Sequence, residues 1–158
     1  MLDINTPKGQ ITLVNEKEMI ERFAKRFNLQ VMETPKKLQA KCDGFFGRDN
    51  VIVSLFESKC REVTEEQFIH FKTWILTREK LIACRDIAAK LCVPFIGLVY
   101  LLPEKIIYWW ELSDNEGNWK VNFESRFTKT QSNVNGGQII RENAYIPIEY
   151  AKIIRKEG

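Results

Sequence analysis

The fold is decided by the stretch GRDNVIVSLFESKC, residues 47–60. Its first four residues are turn formers, and the ten that follow have the composition of a β-strand. Because side chains alternate between the two faces of a strand, Val53 and Leu55 share one face, while Ile52 and Phe56 share the other. Both faces are therefore mostly apolar, which predicts a strand in the middle of a sheet that is covered on both sides.

Apolar patterns predict further strands before and after this one. They are expected at 29–33, 38–46, 95–102, 106–112 and 119–123. The 38–46 strand and the central strand form a β-hairpin across the turn. The run 95–102 is continuously apolar and follows a helix directly, which is typical of a buried strand. This order of elements predicts an α/β or α+β core with a mixed sheet.

Two segments carry apolar residues at helical spacing. The first is capped by Asn15 and runs to about residue 28. The second begins at Thr64, which forms a capping box with Gln67, and runs to about residue 91 as one helix or as two that meet near Thr77. The polar stretch 124–138 is expected to be a surface loop, and the chain is expected to end in a short amphipathic helix.

Composition limits the classes of protein. The 158 residues carry a net charge of +3 and are 44% hydrophobic, as in one globular domain over 1–158. His70 is the only histidine, which excludes Ser-His-Asp triads and His-rich zinc sites. The longest apolar run, 93–102, is too short to span a bilayer. We therefore expect a cytoplasmic protein, cellular or virus-encoded, with no membrane partner.

The four cysteines show no paired spacing and are expected to be reduced core residues. They are Cys42, Cys60, Cys84 and Cys92.

The chain contains one acidic-x-lysine motif, Glu57-Ser58-Lys59. Alternation puts Glu57 and Lys59 on the same face of the central strand, after three apolar residues, where two charges need a partner. A hard divalent cation would be such a partner, because Mg²⁺ binds carboxylate and carbonyl oxygens and keeps several waters. Asp43, on the neighbouring strand, is the second carboxylate that could reach this cation.

The hairpin register decides whether Asp43 and Glu57 share a face. Residues directly opposite each other in an antiparallel pair share a face, so Asp43 has to oppose an odd-numbered residue of the central strand. A tight turn that pairs Phe46 with Val51 would put Asp43 on the wrong face. A three-residue loop at 48–50, or a β-bulge, would restore the parity.

A helix with Glu16, then Asp43, then Glu57-Ser58-Lys59 resembles the PD-(D/E)xK nuclease superfamily, in particular its archaeal Holliday-junction-resolvase-like and phage or restriction-type members. The resemblance covers about 15–102 of the chain. It implies a restriction-endonuclease-like mixed β-sheet core flanked by helices, in the order α-β-β-β-α-β. A C-terminal antiparallel β extension and a short helix would then occupy about 103–158, within a single nuclease-like domain.

The resemblance also implies a role for each motif residue. Asp43 and Glu57 would bind Mg²⁺ or Mn²⁺, with the carbonyl of Ser58 as a further ligand. Lys59 would contact the attacking water. The implied reaction is in-line hydrolysis of a DNA phosphodiester bond by an endodeoxyribonuclease, and the implied partner is duplex or branched DNA.

One position of the resemblance stays open between two residues, and another departs from the nominal motif. Glu16 would approach the cation from the first helix, but Glu18 is only half a turn away and could serve instead. Cys42 stands where the nominal motif has proline.

Basic residues provide weaker candidates for DNA contacts. Arg78 and Lys80 lie on the helix that follows the motif strand, which runs close to the scissile phosphate in this superfamily. Arg126, Lys129 and Arg141 flank the polar loop and form a second candidate surface. A solvated helix face and a surface loop would explain the same residues without DNA.

Aromatic residues are concentrated in the C-terminal third of the chain. We interpret them as core together with a homodimer patch, since cutting both strands of a symmetric substrate needs two active sites. They are Trp109, Trp110, Trp119, Phe123 and Phe127.

Three other interpretations stay open. Glu57 and Lys59 could form an ordinary cross-strand ion pair near a sheet edge, with Asp49 a turn former and not a ligand. The protein could be a non-catalytic nucleic-acid-binding or assembly protein on the same fold. A cysteine-dependent redox or transferase enzyme would instead need a thiolate of depressed pKa.

Overall fold

The computed structural model of the chain describes residues 7–33, 42–131 and 138–156. Within them the chain forms three α-helices and nine strands. The helices are α1 (Pro7–Arg26), α2 (Glu65–Phe71) and α3 (Arg78–Lys90), and a short 3-10 helix follows at Ile148–Tyr150. The strands are β1 (Gln30–Glu33), β2 (Gly44–Arg48), β3 (Val51–Arg61), β4 (Thr73–Thr77), β5 (Phe95–Leu101), β6 (Ile106–Ser113), β7 (Glu124–Gln131), β8 (Gln138–Pro147) and β9 (Lys152–Ile154).

The strands form two sheets. The larger sheet has six strands in the order β1-β2-β3-β5-β6-β9, and the smaller has three in the order β4-β8-β7. β3 and β5 run parallel, while the other pairs of the larger sheet are antiparallel. The protein is therefore a mixed α/β fold with a mixed sheet, as the sequence predicts.

Strand β3 lies in the middle of the larger sheet and is covered on both faces. On one face, Phe56 packs in a cluster with Met19 and Phe23 of α1. On the other face, Leu55 packs in a second cluster with Leu81 of α3 and with residues of the smaller sheet. Leu55 and Phe56 are both fully buried, which confirms the prediction of a two-sided central strand.

The turn between β2 and β3 contains two residues, and a bulge follows it. Arg48 lies opposite Val51, but Phe46 lies opposite Ser54, so Val53 is the extra residue of the bulged strand. The bulge is one of the two devices predicted to correct the register. The other, a three-residue loop, is not used.

Asp43 lies at the end of the β2–β3 ladder. Gly44 pairs with Phe56, and Asp43 directly precedes Gly44. The backbone N–H of Asp43 donates a hydrogen bond to the carbonyl of Phe56 at 3.2 Å, which continues the ladder to this point.

Other elements also agree with the sequence prediction. Thr64 and Gln67 form the reciprocal hydrogen bonds of a capping box at the start of α2. Strand β5 is buried along its whole length, as its continuous apolar run predicts. Among the described residues, no helix is long and apolar enough to cross a membrane.

The sequence predicts one helix over 64–91, or two that meet near Thr77, and this is wrong for residues 72–77. Lys72 adopts a left-handed conformation, with a φ of 64°, and ends α2. The next five residues then form β4, in which Trp74 and Leu76 are buried and Ile75 is exposed. This alternation has the period of a strand, and pairing with β8 stabilises it.

Five other predicted elements need correction. Helix α1 begins at Pro7, so Asn15 lies inside it and is not its cap. The predicted strand 119–123 forms only an isolated bridge, between Trp119 and Ser113. The expected loop 124–138 contains β7, and the expected terminal helix is a 3-10 turn followed by β9. The described part of the predicted strand 38–46 is paired from Gly44 onward, and residues 38–41 lie outside the described residues.

The turn that sets this register can be tested directly. Asp49 and Asn50 both have positive φ, at 52° and 65°, as a type I′ hairpin turn requires. We expect Asn50→Val to lower the free energy of unfolding by about 1–2 kcal/mol, since a β-branched residue is strained at positive φ. The matched control, Asn50→Gly, should leave it unchanged or raise it. Urea unfolding measures both, and equal stability of the two variants would contradict the turn assignment.

Candidate functional site

Asp43 and Ser58 are joined by two hydrogen bonds at the end of the β2–β3 ladder. The Oδ2 atom of Asp43 accepts from the Ser58 backbone N–H at 2.7 Å and from the Ser58 hydroxyl at 3.1 Å. The last pair of the ladder is Gly44 with Phe56, so the next backbone N–H of β3 that faces β2 belongs to Ser58. The Asp43 carboxylate therefore takes the place that a strand carbonyl would otherwise fill.

The carbonyl of Ser58 points to the same edge of β3 as its N–H, because the two groups of one strand residue face the same neighbour. That edge is the one on which Asp43 lies. The backbone carbonyl assigned to the cation by resemblance is thus on the Asp43 side of the strand.

Glu57 is a fully buried carboxylate on the face that α3 covers. Its side chain has 0% exposure, and its neighbour two residues back on the same face is Leu55. Both carboxylate oxygens of Glu57 are buried. A buried carboxylate is costly, so its surroundings must supply positive charge or a proton.

Two lysines supply positive charge to Glu57. The Nζ of Lys80, on α3, lies 2.7 Å from Oε2 of Glu57, and the Nζ of Lys59 lies 3.9 Å from the same oxygen. The Lys80 contact has the distance of a close ion pair. The Lys59 and Lys80 side chains are 34% and 29% exposed, so both reach from the buried carboxylate toward solvent.

The electrostatics of the site favour a proton on Glu57. Burial is the largest cause, and together with the nearby charge of Asp43 it raises the pKa of Glu57 to about 8, against the opposing effect of the two lysines. Burial is the largest single influence on the pKa of Lys80 and acts to lower it, but the charge and hydrogen bond of Glu57, together with the charge of Asp43, outweigh burial and raise that pKa. Lys80 therefore stays charged while Glu57 is held between its two protonation states near neutral pH.

Lys80 has a position that the sequence did not predict. It was expected to contact a DNA phosphate, whereas the structure pairs it with Glu57. The sequence contains a hint that Lys80 lies near the core. Leu81, Cys84 and Ala88 form the buried side of α3, and Lys80 directly precedes Leu81. A lysine beside a buried stripe often reaches a buried acid, but periodicity alone does not identify which one.

The two candidates for the helix carboxylate, Glu16 and Glu18, lie on α1. Helix α1 packs on the Phe56 face of the sheet, opposite to the face of Glu57. Glu16 is half-buried there, and Glu18 accepts a hydrogen bond from the Tyr100 hydroxyl at 2.8 Å. In the part of the chain that the structure describes, no three His, Cys, Asp or Glu residues converge as metal ligands would.

Two of the other predicted basic residues form ion pairs with acidic side chains. Arg78, at the start of α3, pairs with Glu142 of β8 at 3.8 Å. Arg126 pairs with Glu124 at 2.6 Å and lies over the ring of Tyr145. Their positions in a paired β-hairpin correct the expectation of a loop: Arg126 and Lys129 are on β7, and Arg141 is on β8.

Most of the C-terminal aromatic residues belong to the core, as the first part of that interpretation predicts. Trp110 stacks on Trp74, Trp109 packs against Phe23 and Phe27, and Trp119 packs against Phe123. Phe127 differs, because 73% of it is exposed.

Two of the four cysteines meet beside the carboxylate pair. The Sγ atoms of Cys42 and Cys84 lie 2.8 Å apart, and both residues are buried. The hydrogen bond with Cys42, followed by burial, raises the pKa of the Cys84 thiol. A cysteine-dependent enzyme needs the opposite shift in its nucleophile, so Cys84 does not fit that interpretation.

Comparison with known proteins gives no further assignment. No protein-family model matches the sequence, and no curated protein matches it.

The raised pKa of Glu57 predicts how stability depends on pH in the metal-free protein. Between the ordinary value of 4.5 and the folded value of about 8, the folded state holds a proton that the unfolded state lacks. The free energy of unfolding is therefore expected to fall as pH rises across this range, by at most about 1.4 kcal/mol per pH unit. Urea unfolding in a chelator at several pH values measures this slope.

Variants separate Glu57 from other titrating groups. Glu57→Gln cannot titrate, so its slope should be flatter than that of the wild type. Glu149→Gln changes an exposed carboxylate and should keep the wild-type slope. If Glu57→Gln and the wild type share one slope, the proton is not held by Glu57.

Proposed function

We propose that the protein is a metal-dependent nuclease that hydrolyses DNA phosphodiester bonds, with the carboxylates of Asp43 and Glu57 as its cation site. The observation that carries this proposal is the fully buried carboxylate of Glu57, which lies close enough to Asp43 to feel its charge. Both oxygens of Glu57 are buried, and a buried carboxylate needs a cation or a proton to compensate for the loss of water.

The donor set fits magnesium or manganese. Mg²⁺ in enzymes is typically held by one or two carboxylates, with waters and substrate phosphates completing six ligands. Asp43, Glu57 and the carbonyl of Ser58 match this set, so the absence of a third carboxylate among the described residues is compatible with it. A bound cation would lower the pKa of a water and offset charge that develops on the phosphate.

The residues around the carboxylates can serve hydrolysis in different ways. Lys59 is partly exposed and close to Glu57, so its ammonium can orient or help to deprotonate an attacking water. Lys80 neutralises Glu57 in the metal-free protein and would have to shift from Oε2 when that oxygen binds a cation. Ser58 holds the Asp43 carboxylate in position through its N–H and its hydroxyl.

A restriction-endonuclease-like core is part of the proposal. When α2 and β4 are set aside as an insertion, the order is α1-β1-β2-β3-α3-β5, which has the pattern α-β-β-β-α-β. The parallel pairing of β3 with β5, and the helices on opposite faces of the sheet, support this core.

Duplex or branched DNA is the proposed substrate. Arg78 lies one turn before Leu81 on the helix that carries Lys80, and Arg126 and Arg141 lie on the exposed β7–β8 hairpin. A homodimer, in which each copy cuts one strand, is proposed as well. Phe127 and Ile140 are diagonal neighbours on this hairpin and are 73% and 69% exposed, which makes them candidates for its interface.

A second candidate function is a non-catalytic nucleic-acid-binding or assembly protein. The observation that favours it is the 2.7 Å contact between Lys80 and Glu57, because an ammonium can balance the buried charge without any metal. In that case Asp43, Ser58 and Glu57 would only stabilise the end of the hairpin.

Cleavage assays test the nuclease. Supercoiled plasmid, linear duplex and a four-way junction are incubated with Mg²⁺, Mn²⁺ or EDTA. We expect cleavage that requires the metal, and a loss of about 100-fold or more in Glu57→Gln and in Lys59→Met, which remove a proposed ligand and a proposed acid–base group. Glu149→Gln is the matched control and should cut like the wild type.

The outcome that contradicts the nuclease is the absence of metal-dependent cutting on all three substrates by folded wild-type protein. If that protein still shifts DNA in a gel, the binding-module function replaces it. Cutting that persists unchanged in folded Glu57→Gln would show that the activity does not come from this site.

A further inference from the structure

We propose that Cys42 and Cys84 form a reversible disulfide bond that ties the start of β2 to α3 beside the carboxylate pair. The cross-link itself is independent of the nuclease activity, and only its effect on DNA cleavage rests on the proposed function. No disulfide is expected from the spacing of these cysteines, because they are distant in the sequence and are brought together by the fold.

The geometry needs little change for this bond to form. The two sulfur atoms are 2.8 Å apart, and a disulfide requires about 2.05 Å, so a movement of about 0.8 Å closes the gap. Cys42 and Cys84 belong to the same buried cluster, which holds their side chains against each other. Cys60 belongs to the other side of the sheet and Cys92 is exposed after α3, so neither shares this arrangement.

The location gives the bond a consequence for the site. Cys42 directly precedes Asp43, and Cys84 lies one helical turn after Lys80 on the same side of α3. A disulfide here would connect the backbone that carries one carboxylate to the helix whose lysine neutralises the other. It would resist any separation of α3 from β2, including the shift of Lys80 that cation binding by Glu57 requires.

The oxidation is a two-electron step with a peroxide as the oxidant. One thiol attacks hydrogen peroxide, the O–O bond breaks, and a sulfenic acid and one water are formed. The second sulfur then attacks the sulfenic sulfur, the S–O bond breaks, and a second water leaves with the proton of that thiol. Two thiols and one peroxide thus give one disulfide and two waters, and a dithiol such as dithiothreitol reverses the bond by exchange.

The test uses the full chain treated with hydrogen peroxide and then with an alkylating agent. We expect intact mass to show the loss of two hydrogen atoms, and peptide mapping to find Cys42 linked to Cys84, with reversal by dithiothreitol. The melting temperature of the oxidised protein should rise by at least about 5 °C, because the bond closes a loop of some forty residues in the unfolded chain.

Variants keep the test decisive. The double variant Cys60→Ser/Cys92→Ser retains only the two proposed partners and should give the same mass loss and the same rise in melting temperature. Cys84→Ala should abolish both. If Cys84→Ala does not fold, the double variant decides alone, because its mass loss can come from no other pair of thiols.

The inference fails if oxidation adds oxygen to Cys42 or Cys84 without linking them, or if the folded protein forms a link through Cys60 or Cys92 instead.

DNA cleavage by the reduced and oxidised proteins is then compared. If the cross-link forms but neither form of the protein cuts DNA, the disulfide proposal is supported and the nuclease proposal is wrong. If the reduced protein cuts DNA but no cross-link forms, only the disulfide proposal is wrong. If the nuclease holds, the oxidised form should cut at least about tenfold more slowly.

Discussion

The burial of the Glu57 carboxylate in the middle of a two-sided sheet constrains the structure around it. Strand β3 is enclosed by α1 on one face and by α3 with the smaller sheet on the other, so Glu57 has no direct access to water. Removing a charged carboxylate from water costs several kcal/mol unless charge or protons compensate for it. Lys80 and Lys59 provide that charge from the solvent side, and the raised pKa of Glu57 shows that the compensation is incomplete.

Asp43 makes this arrangement more demanding. A second carboxylate opposite Glu57 adds repulsion, which is one of the causes that raise the pKa of Glu57. A fold selected for stability alone would gain by replacing one of the two acids with an apolar residue. A cation between them would turn the repulsion into binding, and this is the physical reason to assign the pair a function.

The sequence was sufficient to predict the centre of the fold. The two apolar faces of β3 required a central, covered strand, and the parity argument required a bulge or a longer loop if Asp43 was to meet Glu57. Both features depend only on the alternation of side chains between the two faces of a strand, which is the same in every β-strand. The capping box at Thr64 is equally local, because its two hydrogen bonds join residues three apart.

What the sequence could not predict depends on contacts between distant segments. Thr73–Thr77 has an alternating pattern too short to distinguish from a helix turn, and it becomes a strand because β8 pairs with it. The β7–β8 hairpin consists of polar residues that resemble a loop, yet its backbone is paired along eight residue positions. The ion pair of Lys80 with Glu57 and the meeting of Cys42 with Cys84 both follow from the docking of α3 on β3, which no local pattern specifies.

We propose that Asp43 and Glu57 bind one divalent cation together. Carbon-detected NMR of the side-chain carboxyl groups, in the full chain titrated with Mg²⁺ and then with Mn²⁺, tests it most directly. We expect the carboxyl signals of Asp43 and Glu57 to shift together when Mg²⁺ is added and to be the first that paramagnetic Mn²⁺ broadens. The carboxyl signal of the exposed Glu149 should change only at much higher metal concentration. Signals of Asp43 and Glu57 that respond no earlier than that of Glu149 would contradict the claim, and would leave the pair as a structural feature neutralised by Lys80.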